Sequence, residues 1–464
     1  VETTFQRAVS LIDQGDLQSS SLPELADRLG ISDRYLRQLF QKYLGMSPKQ
    51  YAQYQQLMFA KQLLHTSNMS IGEIAIASGF NSVRRFNDAF QKKLKLTPRD
   101  TRKATRGSEN IAETAVSKTL RLSYREPFNW DHLLAFYRKR AVRGVEEVGE
   151  NYYARTFVTG TTKGWFRAQP GDKNTLEITF DIDDMTQLKH MVSQIRRMLD
   201  LDADIAVIEQ HLKQTTIAPM MGSGIRIPGV WSAWEAGVRA IFGQQVSIVA
   251  AITMLNRFVD SLDQVVDKSV VNDVRKVVDK SMGSSDERVE GGSEESSEES
   301  SEESSEENDI GQKSRGEAAE THRYFPTPQD IVNADLSELK MPQSRKDTLQ
   351  CFAAYMVDHP DSAPEEWLAL KGIGPWTVSY AKLRGLSQPD CFLSTDLVIK
   401  KAMNELKQTA VTTNTKISPD QTEKSAPSDT SSQSSTSAAD LQDITESVSP
   451  WGSYATFNCW NSQS

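Results

Sequence analysis

The sequence predicts a multidomain, mainly α protein. It places a tandem helix-turn-helix unit at residues 1–106, a linker at 107–118, a small α+β domain at 119–222, and an all-α domain at 223–464 carrying two disordered insertions at about 266–320 and 408–437. Three observations carry this reading. The chain has 464 residues, more than one ordinary core accommodates, so about two to four domains are expected. Its first hundred residues contain an internal repeat, and hydrophobic alternation at period two is confined to the segment after residue 118.

The repeat is imperfect but extended. Leu25-Ala26 and Gly30 recur as Ile74-Ala75 and Gly79; after one extra residue, Leu36, Phe40-Gln41-Lys42, Leu44 and Ser47-Pro48 recur as Phe86, Phe90-Gln91-Lys92, Leu94 and Thr97-Pro98. Each copy reads as a short helix, a glycine turn, a polar N-cap and a second helix that ends before Ser-Pro or Thr-Pro. Ser32 caps the second helix of the first copy, and Asn81 or Ser82 caps that of the second. These second helices suit the major groove and expose Arg34 and Arg37 in one copy and Arg84, Arg85 and Asn87 in the other. The string Gly79-Phe80-Asn81-Ser82-Val83-Arg84-Arg85-Phe86 with Leu96-Thr97-Pro98 resembles the AraC/XylS regulator family over about residues 1–103. Asp100-Thr101-Arg102 departs from the family, which usually places an aromatic residue before that Arg.

Charge agrees with a nucleic-acid partner once its distribution is considered. The formal net charge is -9, but Ser284 to Asp309 holds twelve acidic residues and one Arg, which leaves the rest of the chain near +2. Residues 1–106 hold sixteen Lys or Arg against nine Asp or Glu, a balance suited to phosphate neutralisation. The acidic Ser/Glu repeat and the Ser/Thr/Gln-rich run from about Gln408 to Ser437 have too little apolar surface to build a core and read as loop insertions. Cys351, Cys391 and Cys459 lack paired spacing, so no disulfide framework, metal site or other cofactor is expected. No apolar run spans a bilayer and no signal sequence is visible, so a cytoplasmic protein without a membrane partner is expected.

After the linker, strands are expected at Leu120–Tyr124, Tyr153–Val158, Gly164–Ala168 and Leu176–Ile182, and helices at Trp130–Arg140 and Met185–Leu199. From Pro228 the pattern is helical, with segments at Val230–Asp263, Thr327–Asp358, Glu365–Arg384, Thr395–Lys407 and Ala439–Ser464.

The chemistry is expected around Leu370-Lys-Gly-Ile-Gly-Pro-Trp-Thr377. A Gly-X-Gly turn between two helices lets backbone N–H groups and a helix N-terminus meet a phosphate, so Gly372 and Gly374 are candidate DNA contacts. Asp396 follows Gly374 by twenty-two residues at the start of another helix, where it is either a plain cap or a site carboxylate.

These strings resemble the helix-hairpin-helix glycosylase superfamily, and most nearly its AlkA-type alkyladenine DNA glycosylases. Gly224-Ile-Arg-Ile-Pro-Gly229, Ala240-Ile-Phe-Gly-Gln-Gln-Val-Ser247, Gly372-Ile-Gly-Pro-Trp-Thr377 and Pro450-Trp-Gly-Ser-Tyr454 follow the family's order from about Thr119 to Trp460. The resemblance implies Asp396 as catalytic carboxylate, Trp376, Tyr380 and Trp460 as base-pocket aromatics, and Gln245 as the wedge that fills the gap left by a flipped base. Core packing remains open for the three aromatics, as does a buried cap for Gln245. Bifunctional relatives place a Lys two residues after the second glycine; here Trp376 occupies that position, which implies a monofunctional enzyme. The whole order resembles Ada/AlkA fusions, with double-stranded DNA as partner, both damaged and promoter. The rival reading is a regulator of the alkylation response whose glycosylase module binds DNA without cutting it. Retention of Asp396, the aromatics and the hairpin together favours the enzyme. The sequence leaves the oligomeric state and the preferred lesion open.

Overall fold

The computed structural model describes residues 2–13, 15–106, 117–262, 323–415 and 438–463. The first insertion, most of the second and nearly all of the linker lie outside these residues.

The N-terminal unit is eight helices: α1 (Glu2–Asp13), α2 (Asp16–Ser19), α3 (Leu22–Arg28), α4 (Asp33–Leu44), α5 (Pro48–Thr66), α6 (Ile71–Ala77), α7 (Val83–Leu94) and α8 (Pro98–Arg106). The repeat extends to the caps. Ser21 and Glu24 close a capping box on α3, and Ser70 and Glu73 close the equivalent one on α6. Ser32 accepts from the Tyr35 amide at 3.2 Å, and Ser82, not Asn81, accepts from that of Arg85 at 3.2 Å. Gly30 and Gly79 turn each copy with φ of 66° and 79°. Leu36 and Phe40 in α4, and Phe86 and Phe90 in α7, are buried opposite the cationic faces.

The α+β domain is a five-stranded antiparallel sheet in the order β1-β5-β4-β3-β2. Its strands are β1 (Lys118–Ser123), β2 (Glu146–Val148), β3 (Tyr153–Thr159), β4 (Thr162–Pro170) and β5 (Thr175–Ile182). Helices α9 (Trp130–Arg138), α10 (Leu188–Met198) and α11 (Ile205–Leu212) complete it, with a 3₁₀ turn at Met185–Gln187 leading into α10. The sequence reading missed β2 and α11. Along α9, Trp130, Leu133, Leu134 and Tyr137 form one buried stripe at helical spacing.

The sheet and the second helix-turn-helix share a core. Leu57, Phe59, Leu63, Met69, Ile74, Phe86 and Phe90 pack in one cluster with Leu120, Leu122, Ile178 and Phe180. The Asn68 side chain donates to the Ser117 carbonyl at 2.9 Å and accepts from the Thr119 amide at 2.8 Å, while Ser67 pairs with Leu120 as an antiparallel bridge.

Among the described residues the remaining helices are α12 (Ala233–Gly243), α13 (Ile248–Ser261), α14 (Pro328–Asn333), α15 (Gln343–Asp358), α16 (Pro375–Tyr380), α17 (Leu397–Thr415), α18 (Ala438–Val448) and α19 (Gly452–Ser462). Two expectations are corrected. The apolar run over Val230–Asp263 is two helices meeting at 117° around Gln244–Ser247. Residues 408–415, expected within the second insertion, are helical as the end of α17; a helix already nucleated adds residues at little cost even through Thr-rich sequence.

Family-like strings of unassigned role prove to be joints. The Arg226 guanidinium is buried; it donates to the carbonyls of Asp200 and Arg125, and to that of Pro127 at 3.1 Å, and lies 4.7 Å from the Phe128 ring centroid. The Asp200 carboxylate accepts from the Ile227 amide at 3.1 Å and from the Tyr454 hydroxyl at 3.2 Å. Burial outweighs these partners and pushes the Asp200 carboxyl up from 3.8 to about 7. A raised carboxyl pKa stabilises the fold fully below the unfolded value, and that stabilisation is lost as pH rises through the folded one. Wild type should therefore lose stability relative to Asp200→Asn by on the order of 2 kcal/mol between about pH 5 and about pH 7. Urea denaturation of both proteins at the two pH values measures this; a difference that does not change with pH would refute it.

Candidate active site

Helix α15 leads through a 3₁₀ turn at Pro364–Ala369 to the hairpin. Ile373 is buried in the core beneath it, which fixes the turn from inside. Gly372 has φ of 88°, and a Cβ there would stand 2.0 Å from Thr348 Oγ1. Glycine is thus required at 372 by backbone geometry and by Thr348, independently of any ligand. At Gly374, the N-cap of α16, a Cβ would meet nothing within 4 Å, so this position faces open space.

The α12–α13 break is tied to the same turn. The Gln244 side-chain amide donates to the Gly372 carbonyl at 3.1 Å, and Arg345 donates to the Gln244 carbonyl at 2.6 Å. The next residue, Gln245, is exposed and left-handed with φ of 56°, which rules out a buried cap. Val246, Ile248 and Val249 beside it are also exposed, Val249 at 75%.

Asp396 is a helix cap whose carboxylate also meets two of the candidate aromatics. Its Oδ1 accepts from the amides of Val398 at 2.9 Å and Ile399 at 3.3 Å, which holds the start of α17. The same oxygen accepts from Trp460 Nε1 at 3.2 Å, and Oδ2 accepts from Trp376 Nε1 at 3.2 Å. Asp396, Trp376 and Trp460 are all half-buried, so neither tryptophan is simply core. Tyr380 stacks on Trp376 with centroids 5.2 Å apart. Trp460 lies parallel to Phe136 at 6.4 Å and edge-on to Phe457 at 5.2 Å.

A cationic wall stands behind the aromatics. Arg384, buried on the π-helical turn Ala381–Gly385, donates to the Tyr380 hydroxyl at 2.9 Å and to the Pro228 carbonyl at 2.5 Å. Arg140 lies 3.7 Å over the Phe136 ring. Burial alone would raise the Tyr380 hydroxyl pKa, but Arg384, Arg140 and Arg239 outweigh it and bring it below its ordinary value. Lys382 pairs with Glu365 at 2.7 Å, and this hydrogen-bonded partner holds its pKa above the ordinary lysine value.

The structure thus gathers Asp396, Trp376, Tyr380 and Trp460, and brings Gly372 to the loop that carries Gln245. The exposed Arg34, Arg37, Arg84, Arg85 and Asn87 stand apart on α4 and α7, with Arg37 pairing to Asp33 at 2.9 Å. Sequence reasoning missed Phe136, Arg140, Arg384, Gln244 and Thr348. Phe136 and Arg140 had a signal: they are four residues apart and off the stripe that α9 lays on the sheet.

Residues 25–104 match a helix-turn-helix domain model, and residues 119–232 match the AlkA N-terminal domain. A Mycobacterium tuberculosis protein named "Probable bifunctional transcriptional activator/DNA repair enzyme AlkA" is 29% identical over 413 residues, which cover 86% of this chain and 73% of that one. The Escherichia coli protein named DNA-3-methyladenine glycosylase 2 is 26% identical over 293 residues, 60% of this chain and 85% of that one. In fold, a 3-methyladenine DNA-glycosylase from Archaeoglobus fulgidus is similar with a TM-score of 0.52 at 14% identity, over 74% of this chain and 97% of that one.

Gly372→Ala should destabilise the protein by about 1–3 kcal/mol, whereas Gly374→Ala should stay within about 0.5 kcal/mol of wild type. Chemical denaturation of both variants checks the contrast, and equal losses would contradict the assigned cause. By its two domain matches and its homology along both halves, the chain joins an AraC-type helix-turn-helix domain to an AlkA-type glycosylase unit.

Proposed function

We propose that the protein is a monofunctional DNA glycosylase that hydrolyses the N-glycosidic bond of alkylated bases of the 3-methyladenine type, with a helix-turn-helix module that also binds promoter DNA. The observation that carries this reading is the Asp396 carboxylate, held by two indole N–H groups at the edge of a cluster of partly exposed aromatic rings. Bond cleavage leaves oxocarbenium character on the sugar, and the carboxylate stabilises it while orienting the attacking water. Its two indole donors and two backbone donors keep it from rotating away.

An alkylated purine already carries positive charge, so it leaves with little acid assistance. The faces of Trp376, Tyr380 and Trp460 favour such a cation by roughly 0.5–2 kcal/mol. The backbone N–H groups of Gly372 and Gly374 contact a backbone phosphate, and Gln245, presented on its exposed turn, fills the space of the flipped base. Arg34, Arg37, Arg84, Arg85 and Asn87 engage the second DNA surface, with strong dependence on salt. The names of the Mycobacterium tuberculosis and Escherichia coli relatives support both halves of the proposal.

The rival, a regulator with an inactive glycosylase module, differs in one outcome. Asp396→Asn should lower single-turnover release of 3-methyladenine from a duplex by at least about a hundredfold and leave duplex affinity within about threefold. Wild type without release activity would favour the rival, and near wild-type release by the variant would remove Asp396 from catalysis.

A further inference from the structure

The seam between the helix-turn-helix unit and the glycosylase unit carries an open cleft of about 580 Å³. All parts of the chain wall it. Phe59 and Gln62 come from α5, Ser123 from the end of β1, Val192 from α10, and Ser387 from the turn beyond the Arg384 segment. None of the residues placed around Asp396 lines it. Its volume is that of a small-molecule site.

The charge inside is not balanced by the protein itself. Lys189 of α10 is half-buried and makes no ion pair or hydrogen bond among the described residues; burial lowers its pKa, and Asp13 opposes that only from a distance. Arg197 uses Nη2 on the carbonyls of Val230 and Trp231 at 2.8 Å each, and Nε on Gln194 at 2.8 Å, yet its buried Nη1 has no partner among the described residues. The third cation, Arg196, is taken up by Asp202. The remaining carboxyl, Asp200, holds its proton up to about pH 7 and so repels an anion weakly in mildly acidic solution. The hydroxyls of Ser123 and Ser193 stand among these groups.

We infer that this cleft binds a phosphorylated small molecule of mononucleotide size, its phosphate met by Lys189 and the serine hydroxyls and its apolar part by Phe59 and Val192. A half-buried ammonium without a partner is costly, and an oxyanion with several acceptor oxygens satisfies it. Because the walls come from both units, an occupant bridges the DNA-binding module and the glycosylase, and the same seam already carries the Asn68 hydrogen bonds to the start of β1.

Isothermal titration of the full chain with AMP, adenosine and inorganic phosphate tests the inference. Wild type should bind AMP with a dissociation constant below about 1 mM, adenosine at least about tenfold more weakly, and inorganic phosphate in competition with AMP. Lys189→Gln should weaken AMP binding about tenfold while base release is unchanged, and Lys189→Arg should retain binding. Ser193→Glu, which places a negative charge in the cleft from the exposed side of α10, should also weaken it at least about tenfold and serves if the Lys189 variant does not fold. No AMP binding up to about 10 mM, adenosine binding as tightly as AMP, or AMP binding undiminished by both Lys189→Gln and Ser193→Glu would overturn the inference.

Discussion

A buried cluster of two arginines and two glutamates holds the sheet to the helical domain, and the candidate site is built on that joint. Arg155 of β3 grips Glu235 of α12 through two nitrogens at 3.3 and 2.8 Å. Arg239, one turn further on, reaches Glu235 at 2.7 Å and Glu146 of β2 at 2.6 Å, while the Tyr153 hydroxyl donates to Glu146 at 2.7 Å. All four side chains are almost fully buried. Burial alone would raise the Glu235 carboxyl pKa, but Arg155 and Arg239 outweigh it and hold it below the ordinary carboxyl value. Such a cluster is weak as a source of net stability, because desolvation of four charges offsets their attraction. It is strong as a constraint, because losing one member strands the others at a cost of about 3–5 kcal/mol. The observed register of α12 against β2 and β3 satisfies all four groups.

That register propagates to the site. Helix α12 ends at Gly243, where Gln244 bonds the hairpin carbonyl and Gln245 is turned outward. Its packing against the turn after α16 is close, since a Cβ on Gly385 would stand 2.6 Å from the Ala233 Cα. The Arg384 segment is therefore positioned against α12, and Arg384 in turn orients the Tyr380 hydroxyl. On the other side, Arg239 also holds the Arg140 carbonyl at 2.8 Å, which fixes the end of α9 that carries Phe136. The aromatic cluster around Asp396 thus draws one wall from the α+β domain and two from the helical domain, joined through one polar cluster.

Much of this was legible in the sequence where local chemistry decides. The repeated caps and glycines of the N-terminal unit set its helices directly, and alternation marked β3, β4 and β5. The three-residue strand β2 was invisible because Glu146 and Glu147 read as solvated charge, whereas Glu146 is buried by its arginine partner. The break at Gln244–Ser247 was hidden because apolar residues continue on both sides of it. Asp396 looked like a choice between cap and site carboxylate; its Oδ1 caps α17 while the same carboxylate also accepts from the two indoles of the aromatic cluster. Phe136 and Arg140 lie more than two hundred residues before the hairpin in sequence, and only tertiary packing brings them beside Trp460 and Tyr380. The seam between the two units was not legible either, since the apolar residues of α5 and α6 satisfy a helical bundle as readily as a sheet.

The central claim is that base release proceeds by water attack beside Asp396, with no covalent bond between enzyme and sugar. Trp376 has no amine to offer, Lys371 precedes the hairpin, and Lys382, the lysine on the following turn, is committed to Glu365 as an ammonium. Borohydride trapping on a duplex carrying an alkylated base, run beside an assay of base release, measures this directly. The account predicts full release with an intact strand and no trapped protein–DNA adduct. An adduct forming at the rate of base release would contradict it.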